Sequence, residues 1–303
     1  MTLFYKIFYT PLINYIFRSI LFPFRSIISH KLKIPITGVI SIKTNTNKKI
    51  YFYSNETSPM TKILFWEDKG CTFEFSNIFK HLIISSKTFL DIGANVGYYS
   101  LLGKTINPTL NVFAFEPSKG PKYFLKKNIQ LNNLDSIHVI EKAVGDSIGM
   151  ISFFEEKNIK YPYVEYHASG IGNTANTWGI DNYLKYDVEL TTIDQVVLEK
   201  NIENIDLIKI DTEGTENFVL KGGLDSFNKN QPIIICEVLP NKIEDKIQKI
   251  IADELNYSIF QFQSKTNTLI KVDSLKSAVT NGETNYFFVP PSKIKLLNQF
   301  IEK

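Results

Sequence analysis

Acidic residues stand at the ends of several short apolar segments, and two glycines follow the first of these segments. Thr88 to Ile92 is that segment, with Asp91 near its end and Gly93 and Gly97 behind it. The run is short, apolar and free of helix breakers, as expected of a central parallel strand, and helical spacing resumes at Tyr98. Because ligands of open α/β sheets bind at the carboxyl ends of the strands, the glycine loop is predicted to line a ligand site.

The spacing of the glycines distinguishes between cofactors. A dinucleotide-binding loop has the pattern G-x-G-x-x-G, in which the second glycine lets a pyrophosphate approach the backbone. Asn95 occupies that position here, which disfavours a nicotinamide dinucleotide. Two alternatives stay open at this point: an NAD-dependent enzyme on a similar fold, and a tight strand-to-helix turn in another kind of α/β protein.

A second carboxylate, Glu116, ends the apolar segment that starts at Asn111, and Pro117 follows it. It falls about 20 residues beyond the glycine loop, where a doubly wound nucleotide-binding fold places an acid for the ribose. Two adjacent hydroxyls can donate hydrogen bonds to its two oxygens. Glu116 is therefore predicted to bind a ribose, and the alternative is an ordinary exposed acid at a strand end.

The densest group of charged residues follows the apolar segment Ile205 to Ile210. Lys209, Asp211, Glu213 and Glu216 are crowded at the end of this predicted strand and the start of the next helix. Like charges held close together raise one another's proton affinity, which makes a carboxylate a useful base near neutral pH. The alternative for the two glutamates is that they lie in the first turn of a helix, where its dipole favours acids.

Six short motifs, taken together, resemble those of the FkbM-type family of class I S-adenosylmethionine-dependent methyltransferases. They are D-x-G-A-N-x-G-x-x-S from Asp91, F-E-P around Glu116, A-V-G-D from Ala143, T-x-D ending at Asp194, I-K-I-D-x-E-G-x-E ending at Glu216, and V-L-x-G from Val219. The resemblance covers Thr88 to Leu239.

The resemblance implies that S-adenosylmethionine is the cofactor and that its methyl group goes to an oxygen, commonly of a sugar, a glycan or another small metabolite. In this family the glycine loop holds the amino-acid end of the cofactor, and no phosphate is bound. Ala143 and Val144 would lie beside the adenine. The predicted cofactor-binding residues are Asp91, Gly93, Ala94, Asn95, Gly97, Tyr98, Glu116, Pro117, Ala143, Val144 and Asp211.

An unactivated hydroxyl acceptor benefits from a base, typically by about 10²–10⁴-fold. The predicted catalytic candidates are Asp211, Glu213, Glu237, His167 and Lys209, and no metal site is predicted. The family resemblance does not fix one of them, and Asp211 is also a candidate for orienting the cofactor. A non-catalytic scaffold that kept the fold is the remaining alternative, and the simultaneous presence of Asp91, Gly93, Gly97, Glu116 and Asp211 opposes it.

These residues need an α/β fold to bring them together. The predicted architecture is the Rossmann-like class I methyltransferase fold, with a seven-stranded, mostly parallel sheet, one antiparallel edge strand and an N-terminal extension. Residues 1–70 are predicted to form the extension, an aromatic and basic segment followed by a β-hairpin, and residues 71–303 the methyltransferase domain. An insertion at about 155–186, which contains His167, is predicted to be a lid or an acceptor-binding loop; a surface excursion is the alternative.

Composition restricts the partners and the compartment. The formal charge is +3 over 303 residues, and no basic tract with interleaved aromatics indicates a nucleic-acid partner. Cys71 and Cys236 are the only cysteines, so neither a disulfide nor a zinc site is predicted and the expected location is the cytoplasm. The sequence leaves the oligomeric state and the acceptor open.

The first 24 residues are crowded with Phe, Tyr, Ile and Leu, interrupted by Lys6, Arg18 and two prolines. No uninterrupted apolar run approaches the roughly 20 residues needed to span a bilayer. Two interpretations stay open for this segment: it lies in a membrane interface as a peripheral contact, or it packs on the domain or on a partner.

Overall fold

The computed structural model describes residues 2–44, 48–67, 70–156, 158–168, 183–240, 243–275 and 282–302 of the chain. The strands in this part of the chain are β1 (Gly38–Lys43), β2 (Lys49–Ser54), β3 (Thr88–Ile92), β4 (Asn111–Phe115), β5 (Ile137–Ile140), β6 (Ala143–Val144), β7 (Gly149–Glu156), β8 (Tyr183–Thr191), β9 (Leu207–Ile210), β10 (Ile233–Glu237), β11 (Ser258–Gln263), β12 (Thr268–Val272) and β13 (Asn285–Val289).

The central sheet has eight strands in the order β12-β11-β13-β10-β9-β3-β4-β5. Strands β10, β9, β3, β4 and β5 are parallel, whereas β13 runs antiparallel to both β10 and β11. The predicted α/β class, with a mostly parallel sheet that becomes antiparallel at one edge, is confirmed. The number of strands differs from the predicted seven, because Thr268–Val272 pairs with β11 as an antiparallel hairpin and forms the edge.

Helices cover both faces of this sheet and define its two apolar cores. The helices in the described part of the chain are α1 (Thr2–Phe8), α2 (Pro11–Leu21), α3 (Pro59–Trp66), α4 (Ser76–Ile83), α5 (Tyr98–Ile106), α6 (Lys119–Leu131), α7 (Ile193–Glu199), α8 (Glu216–Lys221), α9 (Leu224–Asn230) and α10 (Glu244–Lys249). Helices α3, α4 and α5 and hairpin β1-β2 lie over one face, and α7 to α10 lie over the other.

The predicted N-terminal hairpin is present, and asparagines of α6 attach it to the domain. The side-chain oxygens of Asn128 and Asn132 accept the backbone N–H groups of Tyr53 (2.7 Å) and Tyr51 (2.8 Å) on β2. These bonds satisfy backbone donors that an edge strand would otherwise leave open. The division of the chain at residue 70 stays a prediction.

Two segments near the carboxyl end are not regular α-helix. Helix α10 is followed by a π-helical turn, Ile250–Leu255, and a 3₁₀-helix spans Pro291–Leu297. Strands β7 and β8 extend into the predicted insertion from either side and pair with each other, and β6 joins them in a three-stranded sheet. Residues 157 and 169–182 of the insertion lie outside the described residues, and its role stays a prediction.

Candidate active site

A cavity of about 420 Å³ opens at the carboxyl ends of β3, β4 and β9. Its polar wall comes from the loops after these strands, and its apolar wall comes from the small β6-β8-β7 sheet and its surroundings. The lining residues are Ile92, Gly93, Asn95, Phe115, Glu116, Pro117, Ser118, Pro121, Lys142, Ala143, Val144, Gly145, Asp146, Ser147, Ile151, Phe153, Leu190, Asp211, Thr212, Glu213, Thr215 and Phe218.

The glycine loop lies between β4 and the loop after β9, and its first three N–H groups donate hydrogen bonds within the protein. Gly93 has a left-handed backbone (φ 76°), and a Cβ at this position would lie 1.9 Å from the carbonyl oxygen of Asp211. The N–H groups of Gly93 and Ala94 donate to the carbonyl oxygen of Phe115 at 3.0 and 2.9 Å. The N–H of Asn95 donates to Glu116 Oε2 at 2.8 Å. These three amides are therefore not available to bind a phosphate.

Glu116 connects the glycine loop to the start of α6. Its Oε2 accepts the Asn95 N–H, and its Oε1 accepts the N–H of Ser118 at 2.9 Å. An ionised carboxylate has about four acceptor positions, so each oxygen keeps capacity for a donor in the cavity. Burial raises the pKa of Glu116, although these two backbone hydrogen bonds favour its charged form.

The loop after β6 and the turn after α8 pack closely against each other beside the apolar wall of the cavity. Ala143 and Val144 form β6, and the N–H of Gly145 donates to Thr191 O at 2.9 Å. A Cβ on Gly222, which follows α8, would lie 1.9 Å from the carbonyl oxygen of Gly145. Gly222 itself has a right-handed backbone (φ −74°). Glycine is therefore required here by the close packing that holds the cavity wall, rather than by backbone conformation.

Lys209 is buried under the cavity between two carboxylates. Its Nζ lies 2.9 Å from Asp211 Oδ2. Burial lowers the pKa of Lys209, but the charges of Asp211 and Asp91 outweigh this and raise it above its usual value. Lys209 therefore stays protonated and serves as a counter-charge.

Asp91 lies beneath the glycine loop and is almost fully buried. Its Oδ2 accepts a hydrogen bond from Ser100 Oγ at 2.7 Å, whereas Oδ1 has no hydrogen-bond partner among the described residues. Burial raises the pKa of Asp91, and the charge of Lys209 opposes this effect. A buried carboxylate oxygen without a partner is a candidate acceptor for a ligand donor or a water molecule.

Glu237, at the end of β10, faces the same acidic group. Its Oε1 accepts a hydrogen bond from Thr284 Oγ1 at 3.2 Å. Burial, together with the nearby carboxylates of Asp211 and Glu213, raises the pKa of Glu237 to about 9. Glu237 therefore binds its proton more tightly than an exposed glutamate does.

The buried side chain of Glu216 holds the loop after β9 in its conformation through hydrogen bonds to the loop backbone. It is fully buried, and its Oε1 accepts the N–H groups of Thr212 (2.9 Å) and Gly214 (3.0 Å). This clamp holds Glu213 in a left-handed backbone conformation (φ 59°), which is uncommon for a residue with a side chain. The cluster of acids is thus divided: Glu216 organises the loop, and Asp211 and Glu213 line the cavity.

The structure places the predicted site residues in two groups. Those that line the cavity are Gly93, Asn95, Glu116, Pro117, Ala143, Val144, Asp211 and Glu213, and those outside its lining are Asp91, Ala94, Gly97, Tyr98, Lys209, Glu237 and His167. The Tyr98 hydroxyl donates to Gly70 O at 2.7 Å within the core. His167 is buried, its carbonyl oxygen packs on Gly120, and its Nδ1 has no hydrogen-bond partner in the described part of the chain. The functional roles of both groups stay predictions.

Sequence reasoning missed several residues around the cavity. Its apolar wall includes Ile151, Phe153 and Leu190, which belong to β7 and β8 beside the predicted insertion. Glu155 was also missed: its Oε1 accepts the Gly120 N–H at 2.8 Å and fixes the start of α6 beside the cavity. No sequence pattern indicated these residues, since β7 does not alternate between apolar and polar residues. Within the described residues, no group of three or more His, Cys, Asp or Glu side chains could hold a metal ion.

Comparison with known protein families gives one strong match. A family model described as "Methyltransferase FkbM domain" matches residues 91–262, which is more than half of the chain. The match begins at Asp91 and ends within β11, so it includes the strand ends that build the cavity.

Curated relatives match over part of their length. Methyltransferase sdnD of Sordaria araneosa is 28% identical over 193 residues, covering 56% of this chain and 73% of that protein. The 2-O-methyltransferase NoeI of Sinorhizobium fredii is 29% identical over 147 residues, covering 47% of this chain and 59% of NoeI. The 31-O-demethyl-FK506 methyltransferase FkbM of Streptomyces tacrolimicus is 26% identical over 181 residues, covering 54% of this chain and 68% of that protein.

Among solved structures, the crystal structure of methyltransferase FkbM from Methylobacillus flagellatus KT aligns with a TM-score of 0.44 and 13% identity. The alignment covers 76% of this chain and 55% of that one.

Proposed function

The chain belongs to the FkbM methyltransferase family, and from this premise we propose that it transfers the methyl group of S-adenosylmethionine to a hydroxyl oxygen of a sugar, a glycan or another small molecule. The family resemblance predicted from the sequence motifs is confirmed. The names of two relatives, 2-O-methyltransferase NoeI and 31-O-demethyl-FK506 methyltransferase FkbM, support an oxygen acceptor.

One observation carries the choice of cofactor: the carboxylate of Glu116 accepts the amide N–H of Asn95 in the glycine loop. A pyrophosphate placed on this loop would meet a carboxylate and three engaged amides, instead of free donors. A cofactor with a cationic sulfonium and ammonium, two ribose hydroxyls and no phosphate has the complementary chemistry. This supports S-adenosylmethionine over NAD.

The residues around the cavity suit the parts of that cofactor. Glu116 has acceptor capacity for the ribose hydroxyls, and the wall of Ala143, Val144 and Phe153 suits an adenine ring. Asp91, beneath the glycine loop, has a carboxylate oxygen without a hydrogen-bond partner among the described residues, which suits the ammonium of the cofactor's amino-acid end. When bound, the cofactor supplies an electrophilic methyl carbon, so the protein has to align the acceptor and accept its proton.

Asp211 is the proposed proton acceptor. It lines the cavity, and the Lys209 ammonium holds its Oδ2 at 2.9 Å and so fixes its orientation. Lys209 cannot act as a base because its raised pKa keeps it protonated. Glu237 is a weaker candidate, because it lies outside the cavity lining and because burial and the neighbouring carboxylates raise its pKa.

A labelling experiment tests the proposed function. The purified chain is incubated with methyl-labelled S-adenosylmethionine and a pool of sugars, nucleotide sugars, oligosaccharides and lipids, and products are identified by mass spectrometry. We expect label on a hydroxyl oxygen of one acceptor class and a loss of about 10²–10⁴-fold in Asp211→Asn. Transfer to nitrogen or carbon, or turnover that requires NAD, would contradict the proposal.

A further inference from the structure

The second helix of the chain packs on the domain through its polar side. Helix α2 buries two polar side chains, Asn14 and Arg18. Asn14 donates to Pro35 O (2.9 Å) and accepts from the Thr37 N–H (2.9 Å), and Arg18 donates to Val39 O (2.7 Å). A helix that packs on a globular core normally buries its apolar side. Here hydrogen bonds attach the polar side to the domain, so the apolar side faces away from it.

The exposed apolar residues between Leu3 and Ile27 form a surface that we call the amino-terminal apolar face. They include Leu3, Phe4, Leu12, Ile16, Ile20 and Ile27. The exposed fractions are 71% for Leu12, 61% for Ile20 and 79% for Ile27. An apolar patch of this extent on a folded protein marks a site that another surface covers.

The segment that carries this face has charges of one sign in its sequence. Residues 1–55 contain eight Lys and Arg and no Asp or Glu, whereas the whole chain has 34 basic and 31 acidic residues. The rest of the chain has 26 basic and 31 acidic residues and therefore a formal net charge of −5. Lys6 and Lys31 are exposed next to the apolar face. The preferred occupant is consequently apolar and anionic.

We propose that the amino-terminal apolar face docks on a membrane surface that contains anionic lipids. Apolar and aromatic side chains would enter the region between headgroups and acyl chains, and the lysines would contact lipid phosphates. A second copy of the chain is disfavoured as the occupant, because a symmetric contact would bring two positively charged faces together. Helices in the described part of the chain are too short or too polar to cross a bilayer.

Vesicle flotation with the full chain tests this proposal. We expect the wild type to float with vesicles of 70% phosphatidylcholine and 30% phosphatidylglycerol and to bind pure phosphatidylcholine far more weakly. The double variant Ile16→Glu/Ile20→Glu should bind at least about tenfold more weakly, since two side chains lose their apolar environment. Lys31→Gln should reduce binding to the anionic vesicles by about fivefold.

The matched control is Leu198→Glu on α7, because Leu198 is 72% exposed and lies outside the apolar face. This variant should bind vesicles like the wild type. Thermal unfolding of each variant checks the fold, and Leu12→Ser replaces the double variant if that one unfolds. Lack of vesicle binding by the wild type, or equal binding by the folded apolar-face variants, would overturn the proposal. So would a stable dimer in analytical ultracentrifugation that the double variant dissociates.

Discussion

The replacement Glu116→Gln tests the ribose assignment most sharply, because both oxygens of Glu116 already accept a backbone N–H. One accepts from Asn95 at 2.8 Å and the other from Ser118 at 2.9 Å. A glutamine has only one acceptor oxygen, so its NH₂ group must face one of these donors. The variant should lose about 1–3 kcal/mol of unfolding free energy, the expected penalty for a buried donor left without an acceptor.

The effect on the cofactor is separate from the effect on stability. A hydrogen bond to a charged group contributes about 1.5–3 kcal/mol. Loss of the charged acceptor should therefore weaken binding of S-adenosylmethionine and S-adenosylhomocysteine by about ten- to a hundredfold. Isothermal titration calorimetry below the unfolding midpoint of both proteins measures this difference.

A thermodynamic cycle with a 2′-deoxy analogue of S-adenosylhomocysteine isolates the ribose contact. The wild type should lose affinity for the analogue, whereas Glu116→Gln should bind the analogue and the parent compound almost equally. The control is Glu141→Gln, an acid after the neighbouring strand that is paired with Lys122 at the surface and lies outside the cavity lining. Equal losses for the analogue in wild type and Glu116→Gln would refute the assignment.

Three other predictions concern the loop, the acidic group and the base. Gly93→Ala should destabilise the protein by roughly 3 kcal/mol or more in urea unfolding, because the new Cβ would lie 1.9 Å from Asp211 O. The control Gly149→Ala should change the stability little, because a Cβ at Gly149 would have no neighbouring atom within 4 Å. Between pH 4.5 and about 9 the folded state keeps the Glu237 proton that the unfolded state releases, so the free energy of unfolding falls as pH rises. Thermal unfolding measured across this pH range should show a smaller fall for Glu237→Gln than for the wild type. Asp211→Asn should bind S-adenosylmethionine within a few-fold of wild type in calorimetry while transfer falls by about 10²–10⁴-fold.

Each of these has a clear opposing result. A stable Gly93→Ala protein would mean that the loop can move away from β9. Parallel stability curves for wild type and Glu237→Gln would show that Glu237 is ionised at neutral pH. Full turnover by Asp211→Asn would direct the search for the base to Glu213 or His167.

The sequence predicted the features that depend on short-range pattern. Gly93, Asn95 and Glu116 stand at strand ends that apolar runs and glycine spacing locate, and the cavity lies there. The central strands were predicted for the same reason, since each is a short and mostly apolar run. Strand β12 is a similar run, but no acidic strand end or motif marks it, and its place in the sheet depends on its pairing with β11.

The direction in which a side chain points could not be obtained from pattern. Tyr98 follows the glycine loop, yet its hydroxyl bonds to Gly70 O in the core. Glu216 stands at a helix start where dipole stabilisation is an adequate explanation, but it turns inward to bind the loop backbone. Arg18 is a charged residue in an apolar helix, and its side chain is buried on backbone carbonyl oxygens.

Cofactor selectivity is the most direct test of the central claim, because it does not require the acceptor to be known. Calorimetric titration of the purified chain with S-adenosylmethionine, S-adenosylhomocysteine and NAD compares the three ligands under one condition. The engaged amides of the glycine loop and the carboxylate of Glu116 predict saturable binding of the two adenosyl compounds and no measurable binding of NAD. Binding of NAD with an affinity equal to or greater than that of S-adenosylmethionine would contradict the account.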